Sequence, residues 1–187
     1  MKKLSLIITL LLAVLLLQKC KKDTYTAYAT SSNTMFAIIN DTTWSGDTTQ
    51  AAITYNAAAK TKVFTCTGIA NNKEVKFSIT LPNAGNTPGF PLNTFNADSV
   101  NATSAGNNHF YYYIKGTGAF VQQGTVGDGD GTIVFTAVDS VKKVMSGTFS
   151  LITRKINYDQ NGNQISTTIN EVADGAFNSM PYTFTSN

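Results

Sequence analysis

From residue 34 onward, apolar residues recur at every second position in short runs, each bounded by Asn, Asp, Gly or Pro. A period of two places successive side chains on opposite faces of an extended chain, so the pattern predicts strands. The clearest run covers 73–81. Val75, Phe77, Ile79 and Leu81 fall on one face, with Glu74, Lys76, Ser78 and Thr80 on the other. One buried face and one wet face is the pattern of an antiparallel sheet. Further strands are predicted over 35–39, 53–55, 63–69, 90–95, 109–114, 132–138, 144–152, 165–172 and 182–185. They give about nine or ten strands, enriched in Thr, Val, Ile, Phe and Tyr as strands prefer. Residues 40–43 read as the turn of a first hairpin joining 35–39 to 53–55, with Trp44 folding back onto the core.

The connections carry turn chemistry: Asn71-Asn72, the stretch 82–86, Asp128-Gly129-Asp130-Gly131, and 159–163. Ala57-Ala58-Ala59-Lys60 suits a helix but is one turn long, and it sits between two strand patterns. The pattern holds no repeat and no dividing linker. It predicts one antiparallel all-β domain over 34–187, either a two-sheet sandwich or a closed, flattened barrel.

The chain before residue 34 follows a different logic. Lys2 and Lys3 precede an apolar stretch over 4–17, which has 14 residues. That is the length of a signal-peptide core and falls short of the roughly 20 residues of a membrane span. Cys20 follows, and the chain then turns polar. The arrangement resembles the lipobox of bacterial lipoproteins, with Leu17 at the usual apolar position and Gln18 and Lys19 where small residues are customary. The resemblance implies a signal peptide over 1–19, a lipid on Cys20 that anchors the protein to a membrane, and a polar tether over 20–33. An uncleaved signal anchor or a buried hydrophobic helix is the alternative.

This organisation changes the reading of the charge. The chain has a formal net charge of +3, which Lys2, Lys3 and Lys19 account for, so the portion from Cys20 onward is formally neutral. With a single Arg it lacks the electrostatic footprint of a nucleic-acid binder. Its polar character is neutral: 27 Thr, 18 Asn and 13 Ser stand against 13% charged residues. Two Cys, one of them expected to carry lipid, exclude a disulfide scaffold, and Cys66 reads as a small buried apolar residue.

Three groups of residues invite chemistry. Asp128 and Asp130 stand two apart in a Gly-rich stretch, a spacing used by calcium loops, but the other EF-hand positions are not matched, so a solvated hairpin turn is the leading reading and a calcium site the alternative. His109, Tyr111 and Tyr113 would share one face of a strand and Phe110 and Tyr112 the other. Whichever face meets the core, a ring stripe remains at the surface, able to stack on sugars or pack against a protein. Tyr111 and Tyr113 are the expected ligand contacts, and cross-strand aromatic pairing is the structural alternative. Asp41-Thr42-Thr43, Asp47-Thr48-Thr49, Asp98-Ser99-Val100 and Asp139-Ser140-Val141 look like the short O-glycosylation acceptor of Bacteroidota, or are ordinary turns. For catalysis the inventory is thin. No Ser-His-Asp spacing, His-rich metal set or phosphate loop is present; Glu74, Glu171 and Asp174 could supply the two carboxyls of a glycosidase after folding, but nothing in the sequence places them together. No enzyme activity and no cofactor are expected.

Several stretches together resemble an uncharacterised lipoprotein family of Bacteroidota with an all-β domain of unknown function. They are residues 35–44, ending on Trp44; Gly131-Thr132-Ile133-Val134-Phe135-Thr136 with Asp139; Ser146-Gly147-Thr148-Phe149; and Asp174-Gly175-Ala176-Phe177. The resemblance covers most of 34–178 and implies an envelope lipoprotein of the outer membrane. Lys21-Lys22-Asp23 partly resembles the export tag of surface lipoproteins in that phylum, which implies the cell surface over the periplasmic face. The expected role is a non-catalytic surface module that binds a glycan or a protein partner. A periplasm-facing accessory subunit of an envelope complex, or a barrel carrying a small ligand, are the alternatives.

Overall fold

The computed structural model describes residues 35–98 and 107–187. The leader, Cys20, the tether and Ser99-Val100 lie outside the described residues. Twelve strands and no helix are present among those described. They form two six-stranded sheets packed as a sandwich and not closed into a barrel, which decides between the two architectures that periodicity leaves open.

The first sheet contains β1 (Met35–Ile39), β2 (Thr42–Ser45), β6 (Thr94–Asn96), β9 (Thr125–Asp139), β10 (Val144–Tyr158) and β11 (Gln164–Pro181), in the order β2-β1-β11-β10-β9-β6. The second contains β3 (Thr48–Asn56), β4 (Thr61–Ala70), β5 (Lys73–Leu81), β7 (Asn108–Lys115), β8 (Phe120–Gln122) and β12 (Thr183–Ser186), in the order β12-β3-β4-β5-β7-β8. Every described pairing is antiparallel except β12 on β3, where the chain crosses to the second sheet after β11 and returns parallel.

Alternation builds the core. On β5, Val75, Phe77 and Ile79 are fully buried, as their period requires. Phe64 meets the ring of Phe135 edge-on at 5.1 Å, and Phe77 meets Phe149 at 4.8 Å, so each pair joins one sheet to the other. Such ring pairs add about 0.5–1.5 kcal/mol beyond the area they bury. Trp44 is buried against the same core, with its indole N–H donating to the Ala70 carbonyl at 3.1 Å.

Four local expectations change. The first hairpin closes early, on Asn40 and Asp41 (φ 48° and 61°), and pairs β1 with β2, so Trp44 sits opposite Ala37. Residues 48–56 then cross to the second sheet and pair with β4. Of the run 90–95, only Thr94 and Phe95 lie in a strand. Phe90 is buried from a loop that Lys62 holds by donating to Thr87 Oγ1 at 3.1 Å and the Gly89 carbonyl at 2.8 Å. The expected turn at 128–131 is part of β9, with an irregularity where Gly131 pairs Leu151 and Val126 pairs Thr153. Residues 127–130 bulge between those two pairs, with Gly129 left-handed at φ 74° and donating to the Ala97 carbonyl.

The core ends at Thr153 and Asn170, both buried and directly paired. Asn170 Nδ2 donates to Thr153 Oγ1 at 3.4 Å, and Asn40 Nδ2 donates to Asn170 Oδ1 at 3.1 Å. Beyond this polar plug β9 still pairs Thr125 with Arg154, and from Lys155 opposite Thr168 to Tyr158 opposite Gln164 the β10–β11 ladder continues as a two-stranded ribbon.

Candidate functional site

The sequence His109-Phe110-Tyr111-Tyr112-Tyr113 falls in β7, between β5 and β8. Phe110 and Tyr112 turn inward and are buried, which sends His109, Tyr111 and Tyr113 outward, each partly exposed. Tyr111 and Tyr113 stack at 6.0 Å with ring planes 29° apart, and His109 follows at 6.2 Å from Tyr111. The three rings form one continuous stripe along the strand. Burial, followed by the neighbouring Tyr111 and Glu74, raises the pKa of the Tyr113 hydroxyl.

Register sets what flanks the stripe. Ser78 lies opposite His109, Lys76 opposite Tyr111, and Glu74 opposite Tyr113 on β5, while Gln122 of β8 faces Tyr113 from the other side. The next strands continue these rows across the sheet: Thr65 and Thr67 on β4, Ala52 and Gln50 on β3, and Thr183 on β12. Ala52 is the small residue in that floor. Around it opens a groove of about 510 Å³, lined in part by Gln50, Thr65, Thr67 and Thr183. The outer face of this sheet therefore runs from an aromatic stripe, through Glu74 and Lys76, to a floor of hydroxyls and an amide. At the usual strand spacing, β7 to β12 spans about 19 Å.

The chemistry available is stacking plus neutral hydrogen bonding. Ring faces take the C–H face of a pyranose, hydroxyls and amides exchange hydrogen bonds with sugar hydroxyls, and Lys76 and Glu74 add a donor and an acceptor between the two zones.

The other sequence candidates separate in space. Asp130 forms an ion pair with Arg154 across the β9–β10 ladder, so its carboxylate already has a cation. Asp128 is exposed beside it, and among the described residues no group of three or more His, Cys, Asp or Glu gathers to hold a metal. Cys66 points into the core, where burial pushes its thiol up to about 12, while His109 faces solvent. Glu74 lies on the second sheet and Glu171 and Asp174 on β11 of the first. Asp139 accepts the backbone N–H groups of Val141 and Lys142 at 3.0 and 2.8 Å, which makes Asp139-Ser140-Val141 an exposed side-chain-closed turn.

The groove floor escaped sequence reasoning because it is assembled from three strands whose register no single run reveals. The available signal was Thr at period two, in Thr65-Cys66-Thr67 and Thr183-Phe184-Thr185. No family model matches the chain, and no curated protein or solved structure is significantly similar to it.

Proposed function

We propose that this protein is a lipid-anchored module of the outer envelope, facing the cell surface, whose sandwich captures a neutral glycan across the outer face of the β3–β4–β5–β7 sheet. The observation that carries the reading is the outward stripe of His109, Tyr111 and Tyr113, stacked at 6.0–6.2 Å on the same sheet face as the groove over Ala52, with β5 between them. Tyr111 and Tyr113 provide the stacking platform, and Gln50, Thr65, Thr67 and Thr183 the hydroxyl and amide contacts. The anchoring half of the proposal rests on the apolar leader and Cys20.

The test is a titration of the full chain with a panel of soluble neutral oligosaccharides, followed by calorimetry. Tyr111→Ala with Tyr113→Ala should weaken the best ligand by about tenfold to a hundredfold, as two stacking contacts of about 1 kcal/mol each predict. The melting temperature should stay close to the parent's. Glycan affinity unchanged in the double variant refutes the assignment of the site.

A further inference from the structure

Seven large apolar side chains are exposed among the described residues, and four of them lie on the β10–β11 ribbon: Ile156, Tyr158, Ile165 and Ile169, from 46% to 65% exposed. Their placement is systematic. Below Thr153 and Asn170 the inward residues Met145, Phe149, Leu151, Val172 and Phe177 are the apolar ones. Above that pair the apolar residues change sides. Ile156 and Tyr158 alternate with Lys155 and Asn157, and Ile165 and Ile169 alternate with Ser166 and Thr168, whose hydroxyls receive Asn157 Nδ2 at 3.0 Å on the polar side. The ribbon is amphipathic, with its apolar side continuing the outer face of the sheet.

One edge of the ribbon is also open. β1 pairs with β11 as far as Val172, and Asn40 holds Glu171 through both backbone groups. From Asn170 to Gln164 no described strand pairs with β11 on that side. Natural edges are blunted by Lys, Pro, Gly or charge. This segment, Gln-Ile-Ser-Thr-Thr-Ile-Asn, contains none of them.

We infer that this edge pairs antiparallel with the same edge of a second copy of the chain. A two-fold axis at Thr167 sets Ile165 of each copy opposite Ile169 of the other and Ser166 opposite Thr168, so like meets like at every apolar position. Charge favours the same occupant. Arg154, the one charged residue on the apolar side of the ribbon, is neutralised by Asp130 of its own chain, and Lys155 lies on the far strand. The result is a four-stranded sheet between two sandwiches, with the apolar stripes of both ribbons side by side. Pairing occurs away from the aromatic stripe and is independent of the glycan reading.

The test uses the full chain in detergent. Sedimentation velocity should show a dimer that dissociates on dilution. Ile165→Lys with Ile169→Lys sets Lys against Lys at both symmetry-related positions and should weaken the dimer by about tenfold or more. Ile165→Lys with Ile169→Glu sets opposite charges in the same places and should recover the parent constant to within about threefold. Both substituted positions point outward, so each variant should melt like the parent. The Thr167→Cys variant should join to its own copy through a short bifunctional thiol reagent, whereas Lys142→Cys, in the exposed turn after β9, should give no more product than the parent chain. A parent chain that is monomeric throughout overturns the inference, even if the Thr167→Cys variant joins to a different protein. A Lys/Lys variant that dimerises like the parent, or a Lys/Glu variant no better than Lys/Lys, also overturns it.

Discussion

Replacing Gly68 by Ala tests how tightly the two sheets close around the single Trp. Gly68 stands in the inward row of β4, between Cys66 and Ala70, and Met35 and Trp44 fill the space its missing side chain leaves. A Cβ there would lie 2.5 Å from Met35 Sδ and 2.8 Å from Trp44 Cη2. The thioether can shift, but the indole is held by its hydrogen bond to Ala70. Overpacking of this kind costs about 1–3 kcal/mol, offset by about 0.4–1 kcal/mol from the stiffer unfolded chain. The net loss is about 1–2 kcal/mol, a fall in melting temperature of roughly 2–8 °C for a domain of this size. Urea unfolding followed by Trp44 emission measures it directly, since no other Trp contributes. Met35→Ala alone costs about 2–5 kcal/mol through its cavity. In that background Gly68→Ala should cost at least about 1 kcal/mol less than in the parent, because the first contact is gone. A Gly68→Ala variant as stable as the parent, or strict additivity in the cycle, refutes the packing argument.

Two further tests address other parts of the fold. Cys66 should resist thiol reagents at pH 8 while folded and react once the chain is unfolded. Its folded pKa, raised by burial from 9.0 to about 12, also means that its contribution to stability is complete below pH 9 and is lost as pH rises through about 12; thiol modification and alkaline melting curves check both. The β4–β5 hairpin turns on Asn71 and Asn72, both left-handed at φ 50° and 61°. Asn72→Val should therefore lose about 1–2 kcal/mol in chemical denaturation, while Asn72→Gly should match or exceed the parent.

Sequence and structure agree where one face of a strand is dry. β5 has the predicted limits, 73–81, because its neighbours bury alternate residues along its whole length. The outward placement of Tyr111 and Tyr113 follows from the same rule, since Phe110 and Tyr112 supply the buried face. Agreement fails where a partner, and not a dry face, makes the strand. The stretch 125–131 has few apolar residues and four glycines nearby, yet β10 pairs with both of its ends, at Thr125-Val126 and at Gly131, while 127–130 bulge between them and Gly129 donates to the Ala97 carbonyl. β10 runs to Tyr158, six residues beyond its predicted end, and β11 covers 164–181 in place of 165–172. On β10 the apolar period reverses face at Thr153, which reads in sequence as the end of a strand, and on β11 the part beyond 172 is broken by register shifts where Asp174 and Ser179 are left-handed, at φ 48° and 46°. β8, three residues between glycines, is too short to show a period. The groove around Ala52 was illegible for a related reason: it depends on which residues of three strands stand abreast.

The pairing of β1 with β11 sets a condition on how the protein is made. Asn40 and Asn170, joined across that ladder, are 130 positions apart, and Thr54 and Thr185, joined across the β3–β12 pair, are 131 apart. Each sheet thus takes one early strand and pairs it with a strand made about 130 residues later. A topology of such high contact order folds slowly, on a scale of milliseconds to seconds. At about 5–20 residues per second, synthesis leaves β1 and β3 waiting several seconds for their partners. Throughout that time the two sheets lack the strands that complete them, and the sandwich closes only once β11 and β12 have both been made.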